Sequence, residues 1–131
     1  MATKVWGLFM LTIRVERLGD LALIECEGRI VHSDSVFKLR DAVRVQSSAR
    51  IVALDLSAVE AIGGGGLGML AFLQRWANDN AIQLKLFSPS EPVMRLLQNG
   101  QANPDFQFHI ASFQEMIGIL SAAQSHYALA A

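Results

Sequence analysis

The hexapeptide Ile51-Val52-Ala53-Leu54-Asp55-Leu56 constrains the fold more than any other stretch of the chain. It is apolar at nearly every position. A strand reads this way when both its faces are covered, so it belongs at the centre of a sheet. The flanking segments supply the rest of that sheet. Thr12 to Arg17 alternates Ile13 and Val15 with Arg14 and Glu16, and Leu21 to Glu27 alternates Ala22, Ile24 and Cys26 with Glu25 and Glu27. Leu18-Gly19-Asp20 between them is a turn, so the two predict an antiparallel hairpin. Gly28 ends the second strand.

After the hairpin, Ser33, Asp34 and Ser35 offer oxygens to cap a helix that carries Val36, Leu39, Ala42 and Val43 at helical spacing. Beyond the central strand, Gly63 to Gly66 interrupt the chain. Leu67, Leu70, Leu73, Trp76 and Ala77 then form a second helical stripe, closed by Asn78, Asp79 and Asn80. Ile82, Leu84 and Leu86 alternate in a further strand. Pro92 marks a third helix, capped by Ser90 or, in a rival start less compatible with Pro92, by Ser88 and Glu91 as a capping box, with Val93, Leu96 and Leu97 inside and Asn99-Gly100 as its stop. Phe106, Phe108 and Ile110 predict a last strand. Ser112 and Glu115 form a capping box for a final helix with Phe113, Met116, Ile117 and Leu120, which the tail from Gln124 either continues or lets fray.

Repeated strand-helix-strand units require right-handed crossovers and parallel later strands. The polar alternate positions leave one sheet face partly wet. The fold expected is therefore a single α/β domain, a mixed β-sheet with helices mainly on one face. Residues 11–123 form the domain, residues 1–10 an extension or first segment, and residues 124–131 a tail. Met10 is an alternative start to Met1.

The 131 residues suit one core, with 52% apolar and 18% charged residues. A net charge of -1 with scattered Lys and Arg argues against a nucleic-acid surface. A single cysteine excludes an internal disulfide and fits a reducing, cytoplasmic setting. No apolar run reaches the roughly 18 residues of a membrane span, so direct membrane insertion is not expected.

The glycine run is the strongest local signal. Gly63-x-Gly65-x-x-Gly68 formally fits a dinucleotide fingerprint, and glycines opening a helix expose N–H groups to an anion. Against this, six residues separate Leu56 from Gly63, and no acidic residue for a ribose ends the next strand. His32, His109 and His126 have no metal-ligand spacing, so no metal or cofactor is expected. Cys26 faces the core as an inert thiol. Asp55 either lines a binding edge at the end of the central strand or caps the following turn. Phe37 lies off the inner stripe of its helix as an exposed contact. No acid, base and nucleophile assemble, so the chain is not read as an enzyme.

Ile51 to Leu56, then Ser57-Ala58-Val59-Glu60-Ala61-Ile62 and Gly63-Gly64-Gly65-Gly66-Leu67-Gly68, resemble the STAS family's apolar strand ending in Asp-Leu-Ser and its loop Asp-Ser-Ser-Gly-Leu-Gly. Pro92-Val93-Met94-Arg95-Leu96-Leu97, Gly28 and the element order support the resemblance. It covers about residues 11 to 123 and implies a bacterial anti-sigma-factor antagonist that binds an anti-sigma factor, itself a serine kinase, and so acts on transcription. The implied partner-binding residues are Asp55, Ser57, Gly63, Gly64, Gly65, Gly66, Leu67, Gly68 and Met69. In the family, phosphorylation of a loop serine breaks the contact. Here Gly63 stands for the family's aspartate, and Gly64 and Gly65 stand for its two serines, so the loop holds no hydroxyl. Ser57, Ser33 and Ser35 are substitute phosphosites only if turn and cap roles do not account for them. The alternatives are a STAS subunit of a transport or lipid-trafficking complex, and a domain that binds a nucleotide or other anion at the helix start. Pairing of two copies of the chain is left open.

Overall fold

The computed structural model describes residues 10–100 and 103–130. The reading of residues 1–10 as an extension or first segment lies outside them except at Met10. The order is β1 (Leu11–Leu18), β2 (Leu21–Ile30), α1 (Ser33–Arg44), β3 (Ile51–Ile62), α2 (Gly64–Asp79), β4 (Gln83–Phe87), α3 (Glu91–Asn99), a 3₁₀ turn (Pro104–Phe106), β5 (Ile110–Ala111) and α4 (Phe113–Ala130). The five strands lie in sequence order across one sheet. β1 runs antiparallel to β2, and all later pairings are parallel. This is the single α/β domain with a mixed sheet that the alternation of elements implies.

Alternate residues of the central strands divide the core. Ala22, Ile24, Val52, Leu54, Leu84 and Leu86 pack with α1, α2 and α3 through Leu39, Val43, Leu70, Leu73, Val93 and Leu97. Leu21 and Ala53 point the other way and meet Met116, Ile119 and Leu120 of α4. Three helices therefore share one face and α4 lies on the other. It covers one end of that face and leaves Thr12, Glu27 and Ser57 exposed at the other. Val52, Leu54 and Leu56 are fully buried. Each contributes about 1.5–3 kcal/mol of transfer free energy, which makes β3 the pillar of the fold.

Several boundaries differ from those expected, each for a physical reason. β3 does not stop at Leu56 but runs on to Ile62. Its pairing with β2 steps from Glu25↔Asp55 to Glu27↔Ala58, and from Gly28↔Val59 to Arg29↔Ala61. Each step places one extra residue on β3, which breaks the two-residue period that marks a strand in sequence. Gly28 does not end β2. It lies within the strand at φ +117, and a Cβ there would come within 2.1 Å of the Met10 carbonyl oxygen. Only glycine tolerates both conditions. The expected strand through Phe106 and Phe108 is mostly absent: Pro104–Phe106 form a 3₁₀ turn, and pairing survives only at Ile110–Ala111. The two rings pack on each other instead, their centroids 6.5 Å apart.

Caps also redistribute. His32, not a serine or aspartate, holds the N-cap position of α1, with no side-chain cap bond. Ser90 holds the N-cap position of α3, but its hydroxyl donates to the Val59 carbonyl at 3.0 Å, joining α3 to the far half of β3. Ser112 does cap α4, accepting from the Glu115 N–H at 3.0 Å. The helix continues to Ala130, so the tail extends it.

Candidate functional site: the glycine-rich start of α2

Ile62 ends β3, Gly63 is the N-cap, and Gly64 already belongs to α2. The strand passes into the helix through one residue. The six-residue gap that weighed against a tight strand-to-helix turn is therefore strand, and the glycines are not a loose loop. Gly63 N–H donates to the Ile30 carbonyl at 2.9 Å, and Leu67 N–H to the Gly63 carbonyl at 2.9 Å. The first bond ties the helix start to the end of β2, and the second is the opening intrahelical bond of α2.

The glycines are not equivalent. Gly66 is buried, and a Cβ there would lie 2.6 Å from the Ile30 carbonyl oxygen and 2.9 Å from the methyls of both Ile30 and Ile62. Its lack of a side chain lets α2 approach the sheet. Gly64, Gly65 and Gly68 are exposed. A Cβ would meet nothing within 4 Å at Gly64 and Gly68, and only a Val36 methyl at 4.0 Å at Gly65. Packing does not require glycine at these three positions. Their effect is outward: they present bare backbone.

Electrostatics add to this. The first turn of α2 has no acidic residue and no side-chain cap. Its leading N–H groups lack the carboxylate or hydroxyl that commonly satisfies them, and the positive end of the helix dipole is uncompensated within the turn. This is a surface suited to carbonyl or carboxylate groups brought in by another molecule.

Leu67 and Met69 are half-buried and pack partly into the core. The exposed large apolar side chains nearby in the fold are Val31, Phe37 and Phe72. Val31 lies beside Gly63. Phe72 continues the exposed stripe of Gly65 and Gly68 at four-residue spacing, so it shares their face. Phe37 is 47% exposed, as its place off the inner stripe suggests, with the Arg40 guanidinium 4.8 Å from its ring centre. Sequence reading missed Phe72, although its i+4 relation to Gly68 was available.

Asp55 and Ser57 are not beside the glycines. With β3 extended, Ser57 lies six residues before Gly63, on the order of 20 Å along a strand. The Asp55 carboxylate accepts the Ser57 N–H at 2.9 Å, a local bond next to the first bulge. It lines a small depression with Thr12, Arg14 and Glu25 on the open sheet face.

Cys26 and His109, also singled out by the sequence, sit in packing and ion-pair contacts. Cys26 is buried, and burial first, then the Asp55 charge, push its thiol up to about 12. His109 Nε2 lies 2.8 Å from Glu115 Oε2, which Lys85 Nζ also approaches to 2.8 Å. Among the described residues, no three His, Cys, Asp or Glu side chains form a group able to hold a metal. None of the described helices is long and apolar enough to cross a membrane.

A STAS domain family model matches residues 12–115. Among solved structures, the anti-sigma factor antagonist SpoIIAA in its unphosphorylated form superposes with TM-score 0.67 at 16% identity, covering 85% of this chain and 97% of that one. An anti-sigma factor antagonist from Mycobacterium paratuberculosis gives TM-score 0.67 at 18% identity, over 83% and 93%. The murine Slc26a9 anion transporter gives TM-score 0.66 at 13% identity, over 92% of this chain but 24% of the transporter. No curated protein sequence matches.

Proposed function

Because the chain belongs to the STAS domain family, we propose that it is a non-enzymatic regulatory module that binds a protein partner through the start of α2. The partner we propose is an anti-sigma factor of the serine-kinase kind, and the setting is the bacterial cytoplasm. Gly63 to Met69 form the centre of the docking surface, with Phe72 at its edge. The single observation that carries this reading is the bare, exposed and uncapped helix start at Gly64, Gly65 and Gly68, where packing imposes no glycine.

The same residues set the regulation. A phosphoryl group needs an acceptor hydroxyl, and Gly63 to Gly68 contain none. The docking surface therefore stays in its binding state and does not respond to phosphorylation at that place. Similarity to antagonists over nearly their whole length supports this reading over others.

The test is affinity capture from the native extract, with wild type beside Gly65→Asp. An aspartate in the first turn of a helix is favourable to folding through the dipole, so the variant should fold. Its charge mimics part of a phosphate and should eject the partner. Recovery of a soluble kinase-like ATPase by wild type, and its loss with Gly65→Asp, is expected. Equal recovery by both would remove the α2 start from the interface. The likeness to Slc26a9 favours a second reading, a module of a transport assembly; co-purification with membrane proteins in place of a kinase would select it. A nucleotide bound at the helix start would instead raise the thermal stability of the isolated chain, by about 2.7 kcal/mol at a hundredfold excess over its dissociation constant.

A further inference from the structure

Among the described residues β1 is an edge strand of the sheet, and its outer edge is patterned for one partner. The register Leu18↔Leu21 closes the hairpin with a two-residue turn, Gly19 at φ 59. In such a hairpin the pair flanking the turn is hydrogen-bonded, and alternate pairs are not. Leu11, Ile13, Val15 and Arg17 therefore direct their N–H and C=O groups away from β2. One contact corroborates the parity: Lys38 Nζ donates to the Leu11 carbonyl at 2.7 Å, which requires that carbonyl to point outward. At the other end the Arg17 guanidinium folds back onto Gln46 and the Gly19 carbonyl. Between these two ends, Ile13 and Val15 present free backbone among the described residues. Val15 is 44% exposed. The edge carries neither a proline nor a bulge, and its charges, Arg14 and Glu16, are of opposite sign and so protect it from a random partner but not from one with the complementary pattern.

We propose that this edge pairs antiparallel with β1 of a second copy of the chain, about a two-fold axis through Val15. In that register Val15 meets Val15, and Ile13 meets Arg17, as hydrogen-bonded pairs in both directions. Arg14 lies directly opposite Glu16 of the second copy, and Glu16 opposite its Arg14, all on the open sheet face. Moving the axis one residue either way sets Arg14 against Arg14 or Glu16 against Glu16. Like charges directly opposite are unfavourable, so the charges favour this register over both its neighbours. Both side chains are exposed, and among the described residues neither has a hydrogen-bond or ion-pair partner. The result is one continuous ten-stranded sheet. It leaves the α2 start out of the pairing, so the proposal stands apart from the function proposed above.

An interface of one strand edge lies at the small end of specific interfaces, so the association is weak and concentration-dependent. Sedimentation equilibrium of the full chain, from roughly 10 µM to 1 mM, should show the mass rising towards two chains. Arg14→Glu and Glu16→Arg are exposed substitutions that should each raise the dissociation constant at least about tenfold. Mixed in equal amounts they set two acidic side chains against two basic ones, and the mixture should regain dimers. A wild-type mass of one chain at every concentration would overturn the proposal. So would single variants that dimerise like wild type, or a mixture that stays monomeric.

Discussion

Lys85 Nζ lies 2.8 Å from Glu115 Oε2, and this contact joins the middle of β4 to the first turn of α4. His109 completes the cluster from the segment before β5. The sequence reading of Ser112 and Glu115 as a reciprocal capping box is thereby half met. The Ser112 hydroxyl accepts from Glu115 N–H, but the Glu115 side chain turns to Lys85 and His109. Anchoring α4 to the sheet takes precedence over closing the cap.

That cluster makes stability depend on pH in a defined sense. The Lys85 hydrogen bond, followed by the one to His109, holds the Glu115 carboxyl below its ordinary 4.5. The unfolded chain takes up this proton first as pH falls, so stability rises with pH in the window below 4.5. The contribution is fully present above that value and is lost as pH falls through the lowered folded-state pKa. Glu115→Gln should flatten the acid limb of a melting-temperature profile relative to wild type. An unchanged limb would show that the cluster does not couple to folding.

Gly66 and its neighbours should respond oppositely to alanine. At Gly66 the new methyl meets backbone and two isoleucine methyls inside 3 Å, an overpacking that costs about 1–3 kcal/mol. Gly64→Ala and Gly68→Ala enter open space within a helix and should each stabilise by about 0.5–1 kcal/mol. Urea denaturation of the three single variants measures both signs. Equal effects at all three positions would contradict the packing described for Gly66.

Gly28→Ala should be among the most damaging single substitutions in the sheet. It combines φ +117 with a 2.1 Å approach to the Met10 carbonyl, and a loss exceeding about 2 kcal/mol is expected. Thermal unfolding of the purified variant, or its failure to accumulate as soluble protein, reads the effect. A melting temperature equal to that of wild type would rule out the geometry given for Gly28 within β2.

Cys26 should resist thiol reagents. Its side chain is 2% exposed, and its thiol is pushed up to about 12, so thiolate is scarce at neutral pH. Modification by an aromatic disulfide reagent should proceed at the rate of global opening and become fast in denaturant. Rapid reaction in native buffer would place the thiol outside the core.

Much of this architecture was legible from side-chain periodicity. Ile13 against Arg14, Ala22 against Glu25, and Leu39 against Val43 carry the periods of strand and helix because one face of each element meets water. Where both faces or neither face meet it, the period is uninformative. The buried residues Leu56, Val59 and Ile62 stand three apart, because the two bulges each insert a residue. No local rule marks that spacing as strand. Hence β3 read as half its length, and the glycines read as lying beyond a loop.

The sequence by itself determined the element order, the central place of Ile51 to Leu56 and the absence of a hydroxyl from Gly63 to Gly68, because each is a property of residue type along the chain. Only the tertiary structure decided which glycine is needed for packing and which is bare, and that Asp55 and Ser57 lie far from the helix start. Those outcomes depend on what lies opposite each residue across the sheet and helix layer: the Ile30 carbonyl against Gly66, open space against Gly64. The physical reason is that steric fit and exposure are relations between distant segments, set only when β2, β3 and α2 come together.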